Sequence, residues 1–236
     1  MASTVIKNWD NKTWLASKEY INSFSKFLLN NINLDSNSKI LDVGCGRGKI
    51  LGNLSSKLKL IKKPIGIDII RHKDKDSRIY FKKVNALKFF SKNKKKYDLI
   101  IIKQTIHLLN FSEIKKLLIL SKKRLNPKGK IFIFSLDIGR NEIPAFKLMK
   151  KKLIDSLKRD KKIINIISKL YPYVKKKKFI FKVRMTKKKY AKMIQNKYIS
   201  ILLNLSNKDL LKGIDELNIK YKNTIKFNDK LICLIL

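Results

Sequence analysis

An α/β protein built on a mostly parallel sheet is predicted by three observations. Short apolar runs bounded by charged or turn residues recur at 40–42, 65–70, 79–84, 97–102 and 130–135. Stretches with helical periodicity lie between several of them. Three glycines at alternate positions, Gly44, Gly46 and Gly48, join the first run to one such stretch. Strand, glycine turn, helix and next strand fit within about 30 residues, the length of a right-handed parallel crossover.

The elements follow in order. Residues 13–30 carry Trp14, Leu15, Ile21, Phe24, Phe27 and Leu28 at helical spacing, with Asp10 or Asn11 as the expected cap. The run 40–42 is a buried strand, and 49–60 is a helix ended by Pro64. The second strand, 65–70, contains Asp68, and the third, 79–84, leads into Asn85-Ala86-Leu87. Residues 97–102 are apolar almost throughout, as a central strand buried on both faces requires. An amphipathic helix spans 112–125, with Ile114, Leu117, Leu118 and Leu125 on one face. Asn126-Pro127-Lys128-Gly129 is a turn before the fifth strand. Beyond it, 143–170 is largely helical, 179–185 a strand, 187–205 a helix, 206–217 a capped helix and 231–236 a strand.

Length and 44% hydrophobic content are those of one domain with a sizeable core. The charge is unusual: 57 Lys and Arg stand against 17 Asp and Glu, for a net +40. It suits nucleic acid or an anionic membrane, and it equally suits coding bias, since Lys, Asn and Ile are abundant together. The even spread of the lysines favours bias. Two cysteines without metal-type spacing argue against a disulfide framework. With no signal-like or bilayer-length apolar run, a cytoplasmic setting is expected.

The stretch 40–51 reads Ile-Leu-Asp-Val-Gly-Cys-Gly-Arg-Gly-Lys-Ile-Leu. Glycine accepts positive φ and lets a ligand approach the backbone. The spacing departs from the dinucleotide pattern, whose third glycine comes one residue later. Asp42 would also repel a pyrophosphate and attract a ligand amine. The stretch resembles the first motif of class I S-adenosylmethionine (SAM)-dependent methyltransferases, Asp/Glu-x-Gly-x-Gly-x-Gly, at every defined position. Asp68, 20 residues after Gly48, is similar to the second motif, where an acid accepts the ribose hydroxyls. The resemblance covers about Lys39 to Asp137. It implies a Rossmann-like, seven-stranded sheet with helices on both faces, the last strand antiparallel and a helical cover over the strand ends. The expected layout is a single domain over 1–236: an N-terminal helical segment (1–34), a cofactor core (35–137), a substrate cover with the sixth strand (138–220) and a C-terminal strand (221–236).

The resemblance also implies site residues. For SAM these are Asp42, Gly44, Cys45, Gly46, Gly48, Asp68, Ile69, Asn85, Ala86 and Lys103. The family commonly has Asp where this chain has Asn85. The Asn carbonyl would accept from the adenine 6-amino group, and the Ala86 N–H would donate to the ring. His107 follows the fourth strand where small-molecule methyltransferases carry His; it is a candidate base or a plain pocket residue. His72 is expected to be solvated. Trp9, Trp14 and Tyr20 are candidates to close over the cofactor. Methyl transfer from a sulfonium needs positioning and exclusion of water, and no metal is implied. The adenine-amine motif Asn/Asp-Pro-Pro-Tyr is replaced by Lys103-Gln104-Thr105-Ile106, and neither Cys45 nor Cys233 is placed as a cytosine nucleophile. The expected reaction is therefore methyl transfer to a small molecule, with no specific nucleic-acid partner. The alternatives are RNA methylation and a non-catalytic basic nucleic-acid-binding protein. Only seven cationic positions are Arg. Arg140 and Arg184 near strand ends suggest a clamp for a small acid, with Trp14, His107 and Tyr198 beside it; the other reading makes both arginines surface residues.

Overall fold

The computed structural model describes residues 13–236. Its strands are β1 (Ile40–Val43), β2 (Ile65–Asp68), β3 (Tyr80–Lys83), β4 (Tyr97–Lys103), β5 (Leu125–Leu136), β6 (Lys175–Thr186) and β7 (Thr224–Ile235). They form one seven-stranded sheet in the order β3-β2-β1-β4-β5-β7-β6. β7 runs antiparallel to both β5 and β6, while β1 to β5 pair in parallel. The central strands β1 and β4 are apolar because helices cover both faces of the sheet.

The helices are α1 (Lys18–Leu29), α2 (Lys49–Leu58), α3 (Ala86–Lys92), α4 (Phe111–Lys122), α5 (Lys147–Leu170), α6 (Lys187–Gln195) and α7 (Asn207–Lys220). Phe24 of α1, Leu51 of α2, Ile194 of α6 and Leu210 of α7 share one core with Phe134 of β5. Phe90 of α3 and Leu117 of α4 share the other with Ile102 and Ile133. At about 1.5 Å per residue, the 24 residues of α5 span about 36 Å. Its Met149 and Leu153 join the first core, and its Ile163, Ile164 and Ile167 the second. α5 thus passes from one face of the sheet to the other.

Several boundaries differ from the sequence-based expectation, each for a physical reason. The N-terminal helix is split. Thr13 caps a single 3-10 turn, Trp14–Ala16, and Ser17 then caps α1 by accepting from the Tyr20 N–H. Asp10 and Asn11, the expected caps, lie outside the described residues, as does Trp9. α3 was not expected; Asn85 caps it with its side chain. Asn126–Gly129 is a bulge inside β5, not a turn before it: Tyr97 pairs with Leu125 and Leu99 with Lys130. Gly129 is needed there, since a Cβ would come within 2.6 Å of the Tyr97 carbonyl oxygen. β6 absorbs the whole Lys175–Lys178 run, because β7 supplies a ladder on one side and the other side is an open edge. α6 stops at Gln195, and a 3-10 turn at Ser200–Leu202 follows. His72 is buried, against the expectation of a solvated side chain.

Candidate cofactor and acceptor site

The loop between β1 and α2 is held by the neighbouring strand. The N–H groups of Gly44 and Cys45 both donate to the Ile67 carbonyl, at 2.8 and 3.1 Å. Gly44, Gly46 and Gly48 have φ of 72, 54 and 72°, the left-handed region that favours glycine. Their surroundings separate them. A Cβ on Gly44 would meet the Thr105 hydroxyl at 2.1 Å, and one on Gly48 would meet Ile79 at 2.2 Å, so these two glycines admit close packing. A Cβ on Gly46 would meet nothing within 4 Å, so Gly46 faces open space. The Asp68 carboxylate at the end of β2 leans over that space. One oxygen accepts the Gly46 N–H at 2.9 Å, the other the Ile70 N–H at 3.0 Å. Each oxygen keeps a second lone pair for a hydroxyl donor. Ile69, 53% exposed, lies beside it.

Asp42 is buried under the loop. Burial pushes its carboxyl up to about 7, against the pull of the Lys103 ammonium and with a smaller push from Asp68. The Lys103 ammonium lies over the rings of Tyr20 and Phe24, at 5.3 and 5.5 Å. It also pulls on a second buried acid, Asp229 of β7. Asp229 accepts the Trp14 indole N–H at 2.8 Å. Trp14 stands edge-on to Tyr198 and Phe227, and the Tyr198 and Tyr190 hydroxyls are 2.9 Å apart. A cavity of about 30 Å³ opens among Trp14, Gln104, Leu136, Ile143, Tyr198 and Asp229. It lies at the carboxyl ends of β4 and β5, where the Asp137 N–H donates to the Lys230 carbonyl. Open α/β sheets bind ligands at that end. Gln104 is held at φ 49°, a strained conformation for a non-glycine residue.

A family model described as "Methyltransferase domain" matches residues 16–157, more than half of the chain. The chain belongs to this methyltransferase family. Solved structures of similar fold agree with the class I, SAM-dependent architecture. The plantazolicin methyltransferase BpumL, in complex with a monoazolic desmethylPZN analog and SAH, is 18% identical, with 97% of this chain and 86% of that chain covered and a TM-score of 0.53. A SAM-dependent methyltransferase from Geobacter sulfurreducens, in complex with S-adenosyl-L-homocysteine, is 13% identical, with 92% and 90% covered and a TM-score of 0.52. At such identities the likeness is one of fold. No curated protein matches the chain.

The methyltransferase brings some expected site residues together and disperses others. Asp42, Gly44, Gly46, Gly48, Asp68 and Ile69 surround the loop, and Asn85 and Ala86 begin α3 beyond β3. Cys45 packs within the loop. Its N–H is donated to Ile67, its carbonyl accepts from Gly48, and its thiol fills the space over Gly66, where burial raises its pKa. Asn85 caps α3. Its side-chain oxygen accepts the Leu87 and Lys88 N–H groups, at 2.9 and 3.2 Å, which leaves an amide donor and no acceptor. His107 sits in a 3-10 turn, Ile106–Leu108, below α5. Burial, and then the Arg159 guanidinium, lower its pKa to about 4, so it is a neutral and weakly basic imidazole. Arg159 fixes this turn by donating to the Leu109 carbonyl at 2.7 Å.

Trp14 and Tyr198 do meet, at the cavity. Tyr20 is wholly buried beneath Lys103. Arg140 is exposed in the loop after β5. Arg184 is exposed on the face of β6 opposite to Val183 and Met185, hence away from the Tyr198 core. The expected arginine clamp is not assembled. Asp229, Gln104 and Arg159 were missed. The signal for Asp229 is period two: Ile225, Phe227, Asp229, Leu231 and Cys233 alternate inward along β7. A strand beginning at 231, where the apolar run starts, leaves Asp229 outside that register.

Proposed function

We propose that the chain transfers a methyl group from SAM to a small-molecule acceptor. The cofactor is held at Gly46 and Asp68, and the acceptor enters at the Trp14–Tyr198–Asp229 cavity. The observation that carries the cofactor half is the empty space over Gly46, with the Asp68 carboxylate fixed at its rim by two backbone donors. Bound SAM supplies a methyl group activated by its sulfonium. The protein's part is to orient and to exclude water. Asp68 accepts the ribose hydroxyls on lone pairs left by Gly46 and Ile70. Asp42, poised near neutrality, offers a negative partner to a ligand amine. Exposed Ile69 offers an apolar surface to a base. On the acceptor side, Trp14, Tyr198 and Leu136 supply apolar walls.

Calorimetry tests this reading. The wild type should bind SAM and S-adenosylhomocysteine. Asp68→Ala should weaken both roughly tenfold or more, since hydrogen bonds to a charged group are worth about 1.5–3 kcal/mol. Gly46→Val should abolish binding by filling the open space and straining a positive φ. Binding of NAD in place of SAM would overturn the assignment.

A further inference from the structure

The acceptor's chemical class can be read from the same cavity, an inference that rests on the cofactor reading above. We propose that the cavity receives the acceptor as an amine, gripped by the Asp229 carboxylate between the rings of Trp14 and Tyr198.

Four observations support this. First, Asp229 is 1% exposed yet lines the cavity. A buried carboxylate is costly unless a donor or cation meets it. Trp14 donates to one oxygen, and the cation acting on Asp229, Lys103, is drawn to Asp42 as well. Tyr20 and Tyr198 are the other titratable groups in its field, both with phenols pushed up by burial. Second, two of the walls are aromatic, Trp14 and Tyr198. An ammonium gains from ring faces as well as from the carboxylate. Third, a cavity of about 30 Å³ admits a small polar group and excludes a bulky one. An ammonium head of a larger molecule meets that limit. Fourth, among the described residues no arginine lines the cavity, so an acid placed here would be set against Asp229.

The step balances simply. The bound ammonium passes one proton to Asp229. The freed nitrogen lone pair forms the N–C bond to the cofactor's methyl as the C–S bond breaks, and that electron pair stays on sulfur. The product leaves as the N-methylammonium, and Asp229 releases its proton to solvent. Burial raises Asp229 above the usual carboxylate range, which makes the proton transfer less uphill.

The test uses the full chain saturated with S-adenosylhomocysteine, titrated with methylammonium and benzylamine and, separately, with acetate, phenylacetate and phenol. The amines should bind and the acids should not. Asp229→Asn keeps an oxygen for the Trp14 N–H, and it should weaken amine binding roughly tenfold or more while leaving S-adenosylhomocysteine affinity unchanged. Trp14→Phe, which keeps a ring but loses the donor, serves as the second variant and should also weaken the amines. If the wild type does not bind S-adenosylhomocysteine, the cofactor reading itself fails. If it does, but prefers the acids or phenol, or binds the amines no better than Asp229→Asn does, the amine assignment is overturned.

Discussion

Asn85 shows how one atom decides a residue's part in the site. As the cap of α3 its oxygen is consumed by two backbone donors. The amide that remains would face the adenine 6-amino group donor to donor. Asp caps a helix as well as Asn does, and it would leave a second oxygen to accept. Asn85→Asp should therefore tighten S-adenosylhomocysteine roughly tenfold or more, the worth of one added hydrogen bond to a charged acceptor, with no loss of melting temperature. Unchanged or weaker binding in calorimetry would remove residue 85 from the adenine edge. At this scale the glycine loop and Asp68 were legible, because spacing alone constrains residues on one short loop. The acceptor residues were not. Asp229 and Trp14 are 215 positions apart and meet through a single hydrogen bond. Arg140 and Arg184 drew notice by rarity, a property of composition that says nothing about which way a side chain points.

At the scale of elements, periodicity read the buried strands well and the amphiphilic edge poorly. β1 and β4 are legible because both faces are apolar. β6 begins with four lysines that suggest a solvated loop, but an edge strand with one hydrogen-bonded neighbour can turn such side chains to water, and lysines there guard against edge-to-edge association. α3 was hidden by its brevity. Gly213 gives a prediction in which two element-level effects compete. It lies within α7, where Gly to Ala ordinarily gains about 1 kcal/mol. Here an added Cβ would lie 2.5 Å from the Phe146 ring, itself buried at the start of α5. Overpacking a rigid ring costs about 1–3 kcal/mol. Packing should win, so Gly213→Ala should lower the melting temperature by about 2–4 °C for each kcal/mol of net loss. A rise in calorimetric melting temperature would mean that the α5–α7 contact yields and that propensity governs.

Over the whole molecule the dominant fact is the net charge of +40. Part of it collects on one surface. On the face of β6 opposite to Val183 and Met185, Lys176, Lys178, Lys182 and Arg184 project at alternate positions, with exposed Ile180 among them. Lys178 is paired with Asp137 at 3.1 Å. Such a row will attract any polyanion through counterion release. It supplies no element for reading sequence: its cations come from one extended strand, and the adenine and cytosine methylation motifs are absent from the chain. Lysines also populate α2, α4, α5 and α6 on both sides of the sheet, as an unselective compositional bias would distribute them. RNA binding should accordingly be weak near physiological salt and indifferent to sequence. A footprint of these four cations would give a slope of log K against log salt of about −3 for single-stranded RNA. Gel-shift titrations with two unrelated single-stranded RNAs across a salt series check this. Equal and steeply falling affinities are expected, and tight binding of one RNA over the other at physiological salt would instead make RNA the acceptor.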